Sequence, residues 1–144
     1  MSIEIAVVAS DDADFVQQTL TILDGAARDL GRPFDPEVLH LRASDANGTL
    51  VGGLVGAAVQ GWMFIKYLAV APEARNLGIG ARLLAAAEDT AREKSLSGVY
   101  LDTFEFQAPR FYLQQGYLEI GRLPAIGMAP QRIWFAKAFE KTGS

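Results

Sequence analysis

The sequence predicts one mixed α+β domain spanning residues 1–144. Two observations carry that reading. Short runs rich in β-branched and aromatic residues are separated by turn dipeptides, and among them lie longer segments whose apolar residues recur at helical spacing. No repeat, linker or low-complexity stretch interrupts the order, and 144 residues suit a single core.

Taken in order, Ile3-Glu4-Ile5-Ala6-Val7-Val8 is mostly apolar and β-branched and predicts a first strand. Ser10-Asp11-Asp12 offers a helix cap, after which Phe15, Val16, Leu20, Leu23 and Ala27 recur at helical spacing to about Leu30. A break near Asp24-Gly25 would divide that helix, and Gly31-Arg32-Pro33 ends it. Three strands then form a meander over Val38–Arg42, Thr49–Val59 and Trp62–Val70. Asn47-Gly48 is expected to supply the positive φ angles of the first turn, Gln60-Gly61 makes the second, and Pro72 stops the third strand.

From Gly78 the period changes. Ile79, Leu83, Leu84, Ala87 and Ala91 line one side of a helix, with Arg82, Glu88, Arg92 and Glu93 assigned to the other, and Leu96-Ser97-Gly98 closes it. Val99–Thr103 reads as a strand. Gln107–Gln115 reads as a short helix, with Pro109 tolerated in its first turn and Gly116 as its stop. Tyr117–Arg122 and Arg132–Phe139 finish as strands.

Composition removes several function classes. Half the residues are hydrophobic and 21% are charged, so the chain is expected to fold rather than remain disordered. A net charge of −4 with mixed signs disfavours nucleic acid, whose phosphates need a basic face, and mildly favours a cationic substrate. Without cysteine there is no disulfide framework and no thiolate metal or redox site, and the lone His40 makes no zinc cluster, so no metal is expected. The start, Met1-Ser2-Ile3-Glu4, lacks the basic region of a secretory signal, and a cytoplasmic location is expected. The uncharged stretch nearest to a membrane span, Ala46–Ile65, is cut by Asn47-Gly48 and Gln60-Gly61 into pieces of strand length, so no membrane association is expected.

The chemically informative segment is Leu68-Ala69-Val70-Ala71-Pro72-Glu73-Ala74-Arg75-Asn76-Leu77-Gly78-Ile79-Gly80-Ala81. A strand ends, a loop follows, and an amphipathic helix opens on paired glycines. The first turn of a helix carries N–H groups without internal partners at the positive end of its dipole, which suits a pyrophosphate. Gly78 and Gly80 let such a guest approach the backbone with no Cβ in the way, and Arg75 adds positive charge. Neither a P-loop nor a dinucleotide fingerprint is present.

With those residues on the page, the chain resembles the GNAT family of N-acetyltransferases. The family's coenzyme A loop, Arg/Gln-x-x-Gly-x-Gly/Ala, is matched by Arg75, Gly78 and Gly80 after a similar lead-in, Leu68-Ala69-Val70-Ala71-Pro72. A second family pattern, Ala-x-x-x-Tyr-x-x-x-Gly-Phe/Tyr, is matched by Ala108, Tyr112, Gly116 and Tyr117, in the family's order. The likeness runs well from about Val38 to Arg122 and more loosely at both ends.

The resemblance implies a central mixed, twisted sheet of six to seven strands flanked by helices, with acetyl-CoA as cosubstrate. The strands ending at Val70 and beginning at Val99 would splay apart to admit the pantetheine arm. Leu68 and Val70, with Ala69 between them, would line that arm through their backbone. Arg75, Asn76, Leu77, Gly78, Ile79, Gly80 and Ala81 would hold the pyrophosphate, and Phe111 and Tyr112 would lie beside the thioester.

Tyr112 matches the family's general acid, and a phenol of pKa about 10 is a suitable donor to a thiolate of about 8.5. The Val70 amide would be the oxyanion donor. The chain departs from the family at two positions. Glu105 stands where relatives often carry an asparagine, and Lys66 where they often carry an acid. The general base is left open: Glu105 and Asp102 lie near the right place, but the expectation is that the neutral amine comes largely from solution without a strong enzymatic base. The implied activity is direct transfer of an acetyl group to a primary amine of a small molecule or a protein. The alternative is a coenzyme A-binding sensor or interaction module of the same fold. A homodimer paired through C-terminal strands is common among relatives.

Overall fold

The structure, a computed structural model, describes residues 1–140. The chain divides into two compact units, Met1–Asp35 and the part from Pro36 onward.

In the first unit, Ala13–Asp29 forms helix α1. Asp12 caps it by accepting from the Phe15 amide at 3.0 Å, as the Ser-Asp-Asp run anticipates. The helix is continuous through Gly25, a residue that a helix of this length tolerates for about 1 kcal/mol. The return loop is fastened to α1. Asp24 accepts from the Phe34 amide and pairs with Arg28, and Arg28 also reaches Asp35. Ile3–Val8 is not a strand: a strand exists only through the ladder it shares, and no ladder forms there.

The second unit holds a six-stranded sheet: β1 Glu37–Ser44, β2 Leu50–Val59, β3 Trp62–Val70, β4 Gly98–Phe104, β5 Leu118–Arg122 and β6 Arg132–Ala138, in the order β1-β2-β3-β4-β6-β5. All neighbours are antiparallel except β3 and β4, which run parallel and are connected through a 3₁₀ turn at Pro72–Ala74 and helix α2, Ile79–Glu93. Helix α3, Pro109–Gln114, joins β4 to β5 and carries its proline in the first turn, where no amide bond is lost.

The two hairpin turns differ. Gln60 and Gly61 both take positive φ, 50° and 88°, as a two-residue primed turn requires. At the first turn only Gly48 does. There Asp45 organises the loop by accepting from the amides of Asn47 and Thr49 at 2.9 Å.

The core lies between one face of the sheet and the two helices. Leu83, Leu84, Ala87 and Ala91 of α2 and Tyr112 of α3 join Leu54, Met63, Ile65, Val99, Leu101, Ile133 and Phe135 in one cluster. Glu88, assigned to the polar side of α2 on sequence grounds, is instead buried. It follows Leu84 by four residues and precedes Ala91 by three, so it falls on the apolar stripe. Tyr117 and Lys137 supply its partners. No helix among the described residues is long and apolar enough to cross a membrane.

Candidate active site

The site begins where the sheet opens. β3 pairs with β4 only over Met63–Ile65 against Val99–Leu101, so the rest of both strands is free of this ladder. Lys66 is the extra residue at the register shift between Val55 and Gly56, a bulge that bends β3 at the point where pairing stops. Beyond it, the Ala71 amide donates to the Val51 carbonyl at 2.8 Å. Antiparallel peptide groups alternate, so Ala69 turns its N–H and C=O toward β2 while Leu68 and Val70 turn theirs toward the gap. The splay anticipated between these strands is therefore present, with open hydrogen-bonding groups along its β3 side.

The gap leads to the start of α2. Asn76 and Gly78 both adopt left-handed backbone, φ 67° and 74°, which asparagine and glycine accept most readily. Gly78 is the cap residue and no side chain caps the helix, so the amides of Ile79, Gly80 and Ala81 have no intrahelical acceptor. Phe111 lies over Gly80. A Cβ added there would be 3.4 Å from Phe111 Cζ and 3.7 Å from Val70 Cγ2. Arg75 is exposed beside this turn and makes no ion pair among the described residues.

A cleft of about 710 Å³ unites these parts. Leu68, Ala69 and Val70 form one wall, and Arg75, Asn76, Gly78, Ile79, Gly80 and Ala81 form its end. Phe111 and Tyr112 form the opposite wall. Of the anticipated residues only Leu77 is absent from the lining; its side chain is exposed. Sequence reasoning missed Ala74, Gln107, Ala108, Gln114 and Gln115, which also line the cleft. Gln107, Ala108, Gln114 and Gln115 flank the Tyr112 motif, so proximity in sequence was the available signal.

Tyr112 is buried among Phe111, Tyr117 and Phe135, with ring centroids 5.1, 6.1 and 6.0 Å away. Burial first, and then the negative charge of Asp102, push its phenol up to about 12. Its hydroxyl makes no hydrogen bond among the described residues. At neutral pH it is therefore a protonated donor with no internal claim on its proton.

The two candidate bases differ in placement. Glu105 lies past the end of β4, exposed, and accepts from the Gln131 amide at 3.3 Å. Asp102 is on β4, one residue past the last β3 pair, and is held by Arg132. Lys66 is exposed, its Nζ 5.4 Å from the Tyr67 ring centroid.

Comparison with known proteins adds to this geometry. The description "Acetyltransferase (GNAT) family" matches residues 14–117. An acetyltransferase of Agrobacterium fabrum is 33% identical over 105 residues, 73% of this chain and 77% of that one. The blasticidin-S acetyltransferase of Streptomyces morookaense is 40% identical over 89 residues, 61% of this chain and 65% of that one. A crystal structure of an acetyltransferase from Agrobacterium tumefaciens superposes with a TM-score of 0.79 at 29% identity, covering 96% of this chain and all of that one.

Proposed function

The chain belongs to the acetyltransferase (GNAT) family, and on that premise we propose that it moves the acetyl group of acetyl-CoA directly onto the nitrogen of a primary amine. One observation carries the reading: the unpaired edge of β3 runs into the uncapped N-terminus of α2, and a single cleft joins both to Tyr112.

Each part of the cleft suits one part of the cosubstrate. The backbone groups of Leu68 and Val70 match an amide-bearing arm, which they would bind as a strand binds its neighbour. The free amides of Ile79, Gly80 and Ala81, with Arg75 nearby, match a pyrophosphate. The apolar side of Phe111 suits the acyl end. The Val70 amide is the candidate donor to the oxyanion that forms when nitrogen adds to the thioester carbon.

Tyr112 then has a specific task. As the C–S bond breaks, sulfur takes the bonding pair, and the phenol donates a hydrogen bond or its proton to it. A phenol of about 12 yields a proton to a thiolate of about 8.5 only uphill in water. The burial that raises the phenol also raises the basicity of a sulfur anion at the same place, which brings the two closer. No covalent enzyme intermediate is needed, since the chain has no cysteine and the amine attacks directly.

Calorimetric titration with acetyl-CoA, followed by a primary-amine panel with free thiol as the readout, tests the reading. Binding with thiol release for at least one amine is expected. Binding without release by any amine would leave a coenzyme A-binding module, and no binding would remove the site.

A further inference from the structure

The sheet face turned away from α2 carries a carboxylate set among aromatic rings. Along β4, Val99, Leu101 and Thr103 are buried on the helix side, and Tyr100, Asp102 and Phe104 alternate onto the other face. Trp134 of β6 stands directly opposite Asp102, and Phe64 of β3 packs on Tyr100 with ring centroids 5.0 Å apart. Asp102 is thus flanked by Tyr100, Phe104 and Trp134 at the mouth of the β3–β4 gap.

Its two oxygens are used differently. Arg132 donates to Oδ1 from Nε at 2.8 Å, and its Nη2 lies 2.8 Å from the same oxygen in an ion pair. The guanidinium also lies 5.6 Å from the Phe104 ring centroid and 5.5 Å from that of Trp134, which fixes its own position. Oδ2 has no hydrogen bond or ion pair among the described residues. The side chain is 15% exposed, and no buried side-chain oxygen among the described residues lacks a partner, so Oδ2 keeps access to solvent and is open to a proton donor. The charged and titratable groups near the carboxylate are Arg132 from β6, Tyr100 two residues back on the same face of β4, and Tyr112 from α3, whose phenol its charge raises.

We propose that Asp102 is the group that takes the proton from the attacking amine, through Oδ2, with Arg132 as the positioning residue that holds Oδ1. The proposal rests on the acetyl-transfer reading and extends it to the acceptor's chemistry. The acceptor is an amine with a flat or apolar body that lies against the rings around Asp102.

The protons balance. An ammonium first releases one proton to solvent and becomes the neutral amine. As its lone pair forms the C–N bond, the nitrogen's remaining protons become acidic, and one passes to Oδ2. The C–S bond breaks, sulfur keeps the pair, and it is protonated from Tyr112. The proton on Asp102 then returns to the phenolate through solvent. Acetyl-CoA and the ammonium give an amide, free thiol and one released proton.

The test uses the whole chain, acetyl-CoA and 2-phenylethylamine beside methylamine as probe acceptors, with thiol release as the rate. Wild type should favour 2-phenylethylamine. Asp102→Asn keeps the oxygen that Arg132 holds, and it should lower kcat by about 10²–10⁴-fold. Acetyl-CoA affinity should stay within about threefold and the melting temperature near wild type. Arg132→Gln should lower kcat in the same direction, and Arg132→Lys, which can still donate to Oδ1, should recover part of it. A folded Asp102→Asn variant with kcat within about threefold of wild type would overturn the role of Asp102. Equal rates for the two probes would overturn the acceptor class. Should Asp102→Asn fail to fold, Arg132→Gln decides: a kcat unchanged from wild type sinks the proposal. No thiol release by wild type, with no acetyl-CoA bound, would instead strike the acetyl-transfer reading itself.

Discussion

Tyr117 and Glu88 meet inside the core through a hydrogen bond of 2.9 Å, the tyrosine hydroxyl donating to Oε2. Lys137 donates to the other oxygen at 2.9 Å and to the Gln115 carbonyl at 3.0 Å, while Arg92 approaches Glu88 at 4.0 Å. A buried carboxylate in this arrangement costs little only while its partners remain. Lys137→Met should therefore destabilise the fold by about 3 kcal/mol, the low end of the range for breaking a buried pair because the lysine is partly exposed. Urea unfolding checks this. A second change, Glu88→Leu, should recover part of the loss, and a loss under about 1 kcal/mol for Lys137→Met alone would mean that Arg92 or water takes over.

Alkaline pH should weaken the fold in a window set by Tyr112. Its phenol titrates near 10 in the unfolded chain and at about 12 in the folded one, so between those values the folded state holds more protons. Stability is then fully present below pH 10 and is lost as pH rises toward 12, by about 3 kcal/mol for two units. Tyr117 is raised in the same direction by burial and by Glu88. Tyr112→Phe should flatten the decline without removing the part due to Tyr117. Melting curves at pH 9, 10, 11 and 12 on both proteins decide it; parallel declines would place the cause elsewhere.

Tyr112→Phe also addresses chemistry. It keeps the ring that packs on Phe111 and Phe135 and removes only the hydroxyl. Affinity for acetyl-CoA should be unchanged and kcat should fall by about 10²–10⁴-fold. A fall below about tenfold, with the chemical step shown to be rate-limiting, would reduce Tyr112 to a packing residue.

The glycines of the α2 turn should respond differently to alanine. At Gly80 an added Cβ meets Phe111 at 3.4 Å, a contact the fold accepts, yet the methyl stands where a pyrophosphate would approach. Gly80→Ala should cost little stability and weaken acetyl-CoA binding by at least about tenfold, roughly 1.4 kcal/mol. The larger Gly80→Val adds branches toward Phe111 and Val70, so it confounds binding with packing. Gly78→Ala has open space around it but a φ of 74°, and should cost about 1–2 kcal/mol of stability. Calorimetric titration beside urea unfolding separates the two kinds of loss.

The parts of this molecule that were legible in the sequence are those set by local pattern. The six strands and three helices among the described residues follow from period, Pro72, Gly116 and the turn pairs, and the glycine-bearing turn that opens α2 was readable for the same reason. What depends on distant partners was not. Ile3–Val8 has the composition of a strand, but composition supplies no neighbour to pair with. Glu88 reads as a surface acid until Tyr117 and Lys137 arrive from 29 and 49 residues away. Sequence leaves Asp102 and Glu105 undistinguished as candidate bases beside an amine deprotonated in solution. What differs between their surroundings comes from the register that brings Arg132 beside Asp102, 30 residues on.

The short seam between β3 and β4 has a consequence for how the protein lives in a cell. Three residue pairs join two three-stranded panels, and the open length beyond them is a place for one more strand that none of the described residues fills. In the acetyl-transfer reading that strand is a metabolite. Supply then sets durability as well as rate, because a molecule that binds only the folded form, at a thousand times its Kd, adds about 4 kcal/mol of resistance to unfolding. Copies deprived of it would be the first to open along the seam and the first to be cleared.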